Sequence, residues 1–386
     1  MNIRIFFLLA TLGISLYIWI KQANLVVPSF VSLRSTPINC TGEKSSEFIS
    51  FIGELNKLRY PGSQLSYRNS EGAWTHCAIG WANTNWQGTP MTHEHRLRYL
   101  SLSKLFTTSV SLKLLDQNII YLDTLLIDII DIGPELQDKR IQLITLFDLL
   151  THRGGFNREL SGDPMLVEAP WCPKNISEIS NLRLDYTPGD VFSYSNLGYC
   201  LLGVAIENKL NKPFEVIVNE FLLEPLDLID YIKPVINGLQ FQDEATLHVD
   251  PKENFDILNF FDYSSMHATG SWSGNSKDFG RVMEMILIDN DGLLKIKQSY
   301  INITNNCDDQ KWRSCHGIGM YRFQDNEKTI YWRDGSMPGG TSMLVISENN
   351  EIVIFITNSR RKDWLPENDK LGILIFNFLS NNPKRI

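Results

Sequence analysis

A serine and a lysine three positions apart form the first arrangement in this sequence that could do chemistry. They are Ser101 and Lys104, in Ser101-Leu102-Ser103-Lys104, between a β-like run at residues 96–100 and an amphipathic run at residues 105–115. Side chains three residues apart share one face of a helix, so an amine would lie beside a hydroxyl at a helix N-terminus. A serine hydroxyl is a weak nucleophile until a neighbouring base takes its proton. Taken alone, the tetrad also fits an N-capping serine followed by a solvated lysine.

Two later segments carry polar side chains that could join this serine. Tyr194 and Asn196 precede a predicted helix, and Arg333-Asp334-Gly335-Ser336 connects two predicted strands near the C-terminus. Out of context, the first would be a helix-cap turn and the second a surface turn with an ion pair. His152 follows another predicted helix, and we interpret it as a structural hydrogen-bonding residue rather than a catalytic one.

The order of these segments resembles that of the serine penicillin-recognising family, nearest the class C β-lactamase and related esterase branch. That family has Ser-x-x-Lys, then Tyr-x-Asn, then a basic-x-Gly strand motif. This chain has Ser101/Lys104, Tyr194/Asn196 and Arg333-x-Gly335 in the same order. The resemblance covers residues 95–235 and 265–360, and it implies a serine hydrolase that forms an acyl-enzyme.

The catalytic roles that the resemblance implies agree with general acyl-transfer chemistry. Ser101 would attack the acyl carbon, and either Lys104 or Tyr194 would take its proton. A lysine near another cation in a partly dry cleft has a lowered pKa and can act as a base. A tyrosine flanked by cations can ionise or pass the proton on. Both residues therefore remain candidates for the base.

A second group of residues is implied to bind and orient the substrate: Asn196, Arg333, Gly335 and Ser336. Asn196 can hydrogen-bond Lys104 or a substrate amide, because its side chain both donates and accepts. The developing oxyanion needs two N–H donors, which by analogy are the backbone groups of Ser101 and Ser336. Gly335 would let the substrate lie close against the strand edge.

The third motif departs from that of family members that cleave penicillins or D-alanyl peptides. Those members mostly carry Lys or His, then Thr or Ser, then Gly, whereas this chain has Arg333-Asp334-Gly335. The fork of Arg333 suits a carboxylate. The carboxylate of Asp334 would repel a substrate carboxylate, or would itself form an ion pair with Arg333. A neutral ester, or a peptide without a free carboxylate at that position, is therefore the expected substrate.

Three functions compete on this basis. The first is an exported, membrane-tethered serine hydrolase acting on an ester or amide. The second is a D-alanyl-D-alanine carboxypeptidase or transpeptidase, or a β-lactamase. The third is a catalytically inactive binding protein that keeps the cleft. Its weakness is that the chain retains all four polar residues of the first two motifs: Ser101, Lys104, Tyr194 and Asn196. An ordinary α/β-hydrolase is disfavoured because the chain contains no Gly-x-Ser-x-Gly.

The elements that must position these motifs change from strands to helices and back to strands. A helix is predicted over residues 46–58, strands over 63–67 and 74–81, and a mostly helical pattern from about 105 to 305. Four strands (317–323, 329–333, 341–347, 352–358) and a closing helix (371–379) follow. Successive strands with short turns pair antiparallel. We therefore expect an α+β fold: one antiparallel sheet from both chain ends with flanking helices, plus an inserted helical domain, as in β-lactamases and transpeptidases.

The predicted domain boundaries follow from these patterns. Residues 1–21 form a signal peptide or signal anchor, residues 22–43 a linker, and residues 44–386 a β-lactamase-like domain. Within that domain, residues 44–104 and 310–386 form the α/β part and residues 105–309 the helical part. We expect the substrate, a small molecule or a peptide, to bind in the cleft between the two parts.

Charge and the N-terminal segment narrow the location and the partners. The net charge of −8 makes a nucleic-acid partner unlikely. Residues 5–20 carry no charge and would span about 24 Å as a helix, short of the roughly 30 Å hydrocarbon core. No clear cleavage site follows, and Tyr17 and Trp19 suit a membrane interface. We expect an exported, periplasmic or extracytoplasmic protein, with this segment as its candidate contact with the membrane.

The six cysteines permit disulfide bonds outside the cytoplasm. Cys307 and Cys315 are the best candidate pair, whereas Cys200 lies in an apolar run and is expected to be a buried free thiol. His93 and His95 flank Glu94 without a third ligand in view. No CxxC or HExxH signature is present, so we expect neither a metal ion nor a cofactor.

Overall fold

The computed structural model describes residues 35–380 apart from residues 85–87, 134, 158–159, 164, 166, 168–169, 250–255, 304–306 and 326–327. The predicted signal segment, residues 1–21, and residues 22–34 of the predicted linker lie outside the described residues. In the part that is described, no helix has both the length and the apolar character needed to cross a membrane.

The N-terminal part alternates strands with one helix. Its elements are β1 (Ile38–Thr41), α1 (Ser46–Lys57), β2 (Gly62–Arg68), β3 (Trp74–Asn83) and β4 (Thr89–Pro90). β1 pairs with β3, so the described end of the predicted linker is part of the sheet. The Cys40–Cys77 disulfide joins these two strands.

The middle of the chain is mostly helical, as predicted. Its elements are β5 (Leu97–Arg98), α2 (Lys104–Asp116), α3 (Leu146–Leu150), α4 (Asn196–Leu210), α5 (Phe214–Val218), β6 (Lys233–Pro234), β7 (Trp272–Gly274), α6 (Ser276–Glu284) and α7 (Gly292–Ser299). Three of them, β5, β7 and β6, form a small antiparallel sheet. The run predicted as amphipathic lies in α2, where ten of thirteen residues are buried, because this helix runs through the interior against α4 and α5.

The C-terminal part returns to strands. Its elements are β8 (Cys315–His316), β9 (Tyr321–Gln324), β10 (Thr329–Met337), β11 (Gly340–Ser347), β12 (Ile352–Thr357) and α8 (Trp364–Leu379). The main sheet has the order β1-β3-β2-β12-β11-β10-β9-β8, with β4 paired to β3, and every pairing is antiparallel. This confirms the predicted α+β fold, in which both chain ends build one sheet.

The sheet has one core on each face. On one face, α1 and α8 pack together through stacked rings of Phe51 and Phe378, 4.2 Å apart, above Trp332 and Phe355. On the other face, Leu344, Ile354 and neighbouring side chains pack against the helical part. The open edge of β10 lies where these two parts meet, and it carries the third motif.

Three predicted boundaries near that edge were wrong. The strand predicted over residues 96–100 is reduced to Leu97–Arg98, because Leu100–Ser103 forms a 3₁₀ turn and α2 begins only at Lys104. The strand predicted over residues 317–323 begins at Tyr321. The segment predicted to connect two strands belongs to β10, which continues to Met337 before a two-residue turn at Pro338-Gly339.

All six cysteines are paired. Cys307–Cys315 is confirmed as a disulfide, and Cys40–Cys77 is a second. The prediction that Cys200 is a free thiol was wrong, since it is bonded to Cys172. An apolar run in the sequence is equally suited to a buried disulfide, so burial alone could not separate the two states.

Candidate active site

Ser101 lies in the tight 3₁₀ turn between β5 and α2. Leu100, just before it, has a φ of 55°, an uncommon left-handed conformation for a branched residue. The turn is held from two sides: Ser342 Oγ donates to Tyr99 O at 2.8 Å, and Trp272 N donates to Ser103 Oγ at 3.1 Å. Backbone strain of this kind clusters at functional sites, where the surrounding structure maintains it.

Lys104 is buried beneath Ser101 at the first position of α2. Its Nζ donates to Asn196 Oδ1 at 2.8 Å and to Thr269 O at 2.8 Å. Burial, together with repulsion from Arg333, lowers the pKa of Lys104 to about 8, although the electrostatic attraction of Tyr194 acts in the opposite direction. At neutral pH this amine is therefore much closer to deprotonation than an exposed lysine.

Tyr194 connects the serine to the lysine. Its Oη donates to Ser101 Oγ at 2.9 Å, and Lys104 Nζ lies 5.1 Å from its ring centre. Burial by itself would raise the pKa of Tyr194, but the nearby charges of Lys104 and Arg333 outweigh burial and lower it. Once the phenol loses its proton, the direction of the 2.9 Å hydrogen bond reverses and Ser101 becomes the donor.

Asn196 fixes the far side of Lys104. It stands at the start of α4, where the Ser195 side chain accepts from Gly198 N and caps the helix. Asn196 uses Oδ1 to accept from Lys104 and Nδ2 to donate to Asp163 Oδ2 at 2.9 Å. Asp163 therefore determines which end of the amide faces the lysine. The sequence offered no signal for Asp163, which lies in an irregular loop.

Gly335 brings the edge of β10 against the serine turn. A Cβ atom at this position would lie 2.7 Å from Ser101 N and 2.5 Å from Ser342 Oγ, so no larger residue fits without movement. The turn after β10 closes on the Met337–Gly340 pair. Because hydrogen-bonded and non-hydrogen-bonded pairs alternate along antiparallel strands, the N–H of Ser336 points away from β11. β9 pairs only with residues 329–332 of β10, so this N–H lies on the open edge next to Ser101.

Arg333 does not reach the cleft, contrary to the expectation that its fork would meet a substrate carboxylate. It is 1% exposed, and its Nε donates to Ser101 O at 3.1 Å while Nη1 donates to Gly319 O at 2.7 Å. Its guanidinium carbon lies 5.5 Å from the ring centre of Tyr194. Because β10 extends past this residue, the Arg333 side chain is directed beneath the serine turn and away from the cleft.

Asp334 does not pair with Arg333, which was one of the two roles predicted for it from the sequence. It forms a two-bond ion pair with Arg313, at 3.1 and 2.7 Å, and accepts from Asn368 Nδ2 at 2.9 Å. Arg313 also donates to Asp369. Burial opposes ionisation of Asp334, but Arg313 outweighs it and holds the pKa of this carboxyl below its usual range. Arg313 was not predicted, because no motif or periodicity in the sequence distinguishes it.

Ser101, Tyr194 and Asn196 line one cleft, whose volume is about 600 Å³. Arg313, Asp334 and Ser336 line the same cleft. Its apolar wall consists of Phe260, Phe261, Met266, Met337, Pro338, Trp364 and Leu365. Among the residues that the structure describes, no group of three or more His, Cys, Asp or Glu side chains is arranged to hold a metal ion. The cleft therefore places the Ser101 hydroxyl between polar groups and a large apolar wall.

Comparisons with known protein sequences identify one family. The family model described as "Beta-lactamase" matches residues 48–376. The probable fimbrial assembly protein FimD of Dichelobacter nodosus, serogroup H1, is 27% identical over 324 residues, which cover 81% of this chain and 78% of that protein. The D-alanyl-D-alanine-carboxypeptidase/endopeptidase AmpH of Escherichia coli K12 is 32% identical over 138 residues, covering 35% of this chain and 36% of AmpH.

Solved structures share the fold at low sequence identity. The D-amino acid amidase of Ochrobactrum anthropi SV3, complexed with L-phenylalanine, superposes with a TM-score of 0.71 at 19% identity. The match covers 87% of this chain and 99% of the amidase. The octameric penicillin-binding protein homologue of Pyrococcus abyssi gives a TM-score of 0.67 at 19% identity, with 86% and 77% of the two chains covered. The chain belongs to the beta-lactamase family, a family of serine hydrolases.

Proposed function

We propose that this protein is an exported hydrolase that cleaves an ester or amide bond through an acyl-enzyme on Ser101. The observation that carries the proposal is the 2.9 Å contact between Tyr194 Oη and Ser101 Oγ, made beside a buried lysine whose pKa is lowered to about 8. A serine on the wall of a cleft, with a phenol in hydrogen-bond reach and two cations next to that phenol, has what acyl transfer requires.

In the proposed acylation step, ionised Tyr194 takes the proton of Ser101 as Oγ bonds to the acyl carbon. The carbonyl oxygen becomes an oxyanion, which accepts from the N–H groups of Ser101 and Ser336. The bond to the leaving group then breaks, and the leaving group departs with the proton held by Tyr194. Lys104, held by Asn196 and Thr269, stabilises the phenolate in its charged form and is the alternative base in its neutral form.

Deacylation follows the same path with water in place of the serine. Water gives a proton to Tyr194 as its oxygen bonds to the acyl carbon. The bond to Ser101 Oγ then breaks, and the serine recovers that proton. Each half-reaction uses one nucleophile, one base and the same two N–H groups, which agrees with a single cleft.

For the substrate we favour an amide over an ester, with an apolar side chain next to the scissile bond. The D-amino acid amidase and AmpH are both named for cleavage at D-amino acids, one at an amide and the other at a peptide bond. Phe261, Met266 and Met337 on the cleft wall offer an apolar surface to a side chain. Arg313 is engaged by two carboxylates, so a substrate without a free carboxylate fits better.

A D-alanyl-D-alanine carboxypeptidase is the second candidate function. The local match to AmpH favours it, although this match covers only 35% of the chain. A catalytically inactive binding protein is the third. The relation to FimD, named for fimbrial assembly, leaves room for such a role, but retention of the Ser101–Tyr194 contact argues against it.

The test is intact-mass analysis after exposure to a fluorophosphonate, a penicillin and a p-nitrophenyl ester, with peptide mapping of any adduct. We expect one adduct on Ser101 in the wild-type protein and none in Ser101→Ala. The matched control is Ser336→Ala, which keeps the backbone N–H and should still be labelled. Rates on D-phenylalanine amide, a D-Ala-D-Ala peptide and nitrocefin then separate the substrate classes. Absence of an adduct on Ser101 in folded protein would favour the inactive binding protein.

Export and domain organisation belong to the same proposal. Three disulfides are expected of a protein that folds in an oxidising compartment. We propose that residues 1–21 direct export, and that residues 44–104 and 310–386 form the α/β part around a helical part at residues 105–309. Fractionation of cells that express the full chain, with N-terminal sequencing of the product, tests export and cleavage together. Recovery of intact protein from the cytoplasm would contradict this part of the proposal.

A further inference from the structure

Two buried histidines lie behind Tyr194, and the proposed reaction does not use either of them. His316 on β8 is 0% exposed, and His152, after α3, is 3% exposed. Their rings are 4.8 Å apart, and His152 lies 4.6 Å from the ring of Tyr194. Both histidines also contact the side chain of Arg333, the cation beneath the serine turn.

The contact between His316 and Arg333 can form in only one protonation state. His316 Nε2 lies 3.2 Å from Arg333 Nη1. Arginine has donors only, so His316 Nε2 must be the acceptor and must carry no proton. The proton of the neutral ring then lies on Nδ1, which is buried without a hydrogen-bond partner. An unpaired buried donor is unfavourable, so this arrangement persists against an energetic penalty.

The contact between His152 and Arg333 is weaker, and a second hydrogen bond explains why. His152 Nδ1 accepts from Ser195 N at 3.2 Å, while its Nε2 lies 3.5 Å from Arg333 Nη2. A neutral imidazole has one acceptor nitrogen, so both contacts cannot be good hydrogen bonds at once. The shorter contact assigns the acceptor to Nδ1. His316 is therefore the histidine that holds Arg333.

Three acceptors together fix the position of the Arg333 guanidinium. His316 Nε2 and Gly319 O accept from Nη1, and Ser101 O accepts from Nε. Two of these acceptors are backbone oxygens, so His316 contributes the only side chain among the three. The guanidinium carbon is thereby held 5.5 Å from the Tyr194 ring centre, against the backbone of the serine turn.

We propose that His316 is a positioning residue that, as a neutral acceptor, holds the Arg333 guanidinium behind Tyr194 and Ser101. This rests on the proposed function, because it assigns His316 a role in the same acylation step. Burial and the charge of Arg333 keep the pKa of His316 well below its usual range, so the acceptor state persists into mildly acidic solution. The other ionisable or charged groups that face His316 or Tyr194 are Lys104, His152, Arg153, Tyr199 and Tyr321.

The first test separates the acceptor of His316 from its ring. The ring stacks on Phe192 at 5.2 Å, so His316→Phe keeps the stacking and removes the acceptor. His316→Gln loses the ring and restores an acceptor oxygen near the position of Nε2. The measured quantity is the rate constant for fluorophosphonate labelling of Ser101 as a function of pH. Its acidic limb reports the protonation of the base in the free enzyme.

The Arg333 cation repels a protonated Lys104 and stabilises an ionised Tyr194, so it lowers the pKa of either candidate base. Displacement of this cation should therefore raise that pKa. We expect His316→Phe to move the acidic limb upward by about 0.5–1 pH unit, and His316→Gln to leave it near the wild-type position. A His316→Phe profile that superposes on the wild type would overturn the proposal. Equal shifts in both variants would also overturn it, because they would indicate a packing role.

A measurement on the wild-type protein covers the case in which a variant does not fold. Nitrogen-15 NMR of histidine-labelled protein reports which ring nitrogen of His316 carries the proton. We expect protonation at Nδ1 and a ring that stays neutral at a pH where an exposed histidine is already protonated. Protonation at Nε2 would overturn the proposal. Absence of labelling at Ser101 in the wild type would instead reject the proposed function, while the tautomer would still test the contact with Arg333.

Discussion

Replacement of Asp334 by asparagine should change both stability and substrate preference, because this residue binds Arg313, which lines the cleft. Asp334 accepts two hydrogen bonds from Arg313 and one from Asn368. Asparagine keeps the shape, but it loses the charge and presents an NH₂ group to one of these donors. The side chains of Arg313 and Asp334 are 18% and 10% exposed, so the pair is mostly buried.

Breaking a fully buried pair costs about 3–5 kcal/mol. Here Arg313 keeps its second partner, Asp369, and some solvent contact. We therefore expect the free energy of unfolding to fall by about 3 kcal/mol or less. A loss of about 2 kcal/mol corresponds to a fall in Tm of roughly 2–3 °C for a chain of this size. The released donors of Arg313 would then face the cleft, where one charge-assisted hydrogen bond to a substrate carboxylate is worth about 1.5 kcal/mol, or roughly tenfold.

The assay compares nitrocefin, which carries a carboxylate, with neutral p-nitrophenyl butyrate. The measured quantity is the ratio of the two acylation rate constants, and we expect Asp334→Asn to raise this ratio about tenfold. The matched control is Asp309→Asn, which breaks the Arg322–Asp309 pair outside the cleft. It should lower Tm and leave the ratio unchanged. A fall in Tm for Asp334→Asn with an unchanged ratio would refute the idea that Asp334 withholds Arg313 from the substrate.

Three further changes test the site and its surroundings. Lys104→Met removes the cation next to Tyr194, and Ser101 labelling at pH 7 should fall at least about a hundredfold, whereas near-normal labelling would exclude Lys104 from proton transfer. Gly335→Ala places a methyl group 2.7 Å from Ser101 N, so labelling should fall at least about tenfold, with a loss of about 1–3 kcal/mol of stability in denaturant titrations. Burial lowers the pKa of all seven histidines. Unfolded histidines bind protons below about pH 6.5 that folded ones do not, so Tm should fall between pH 7.5 and pH 5.5. A constant Tm would contradict the burial of these side chains.

The arrangement of Ser101, Lys104, Tyr194 and Asn196 could be predicted from the sequence because each motif is short and local. Ser-x-x-Lys is set by the geometry of one helical turn, and Tyr-x-Asn by the entry into one helix. Because the motifs follow one another in the family's order, the topology of the family's fold was enough to predict that they lie together. The alternation of strands and helices was likewise visible, because hydrophobic periodicity changes at each boundary.

The environment of Arg333 could not be predicted, because it depends on where β10 ends. A two-residue turn at Pro338-Gly339 extends the strand to Met337 and so decides which residues lie on each face. The partners of Arg333 come from two other segments: Ser101 in the serine turn, and His316 of β8 with Gly319 between β8 and β9. Two of these contacts are to backbone carbonyls, which no side-chain pattern records. Arg313 was missed for the same reason, since its partner Asp334 is known only once β8 and β10 are in place.

Three unfavourable features of this chain lie close to Ser101. Leu100 has a left-handed backbone, Lys104 is buried, and His316 Nδ1 is buried without a partner. Each would be destabilising in an ordinary core, and each lies within two contacts of the serine. Stabilising substitutions at these three positions should therefore act against acylation, whereas the disulfide and aromatic contacts on the far face of the sheet can vary without that effect. Such a trade-off between stability and activity is expected of the reactive site proposed above.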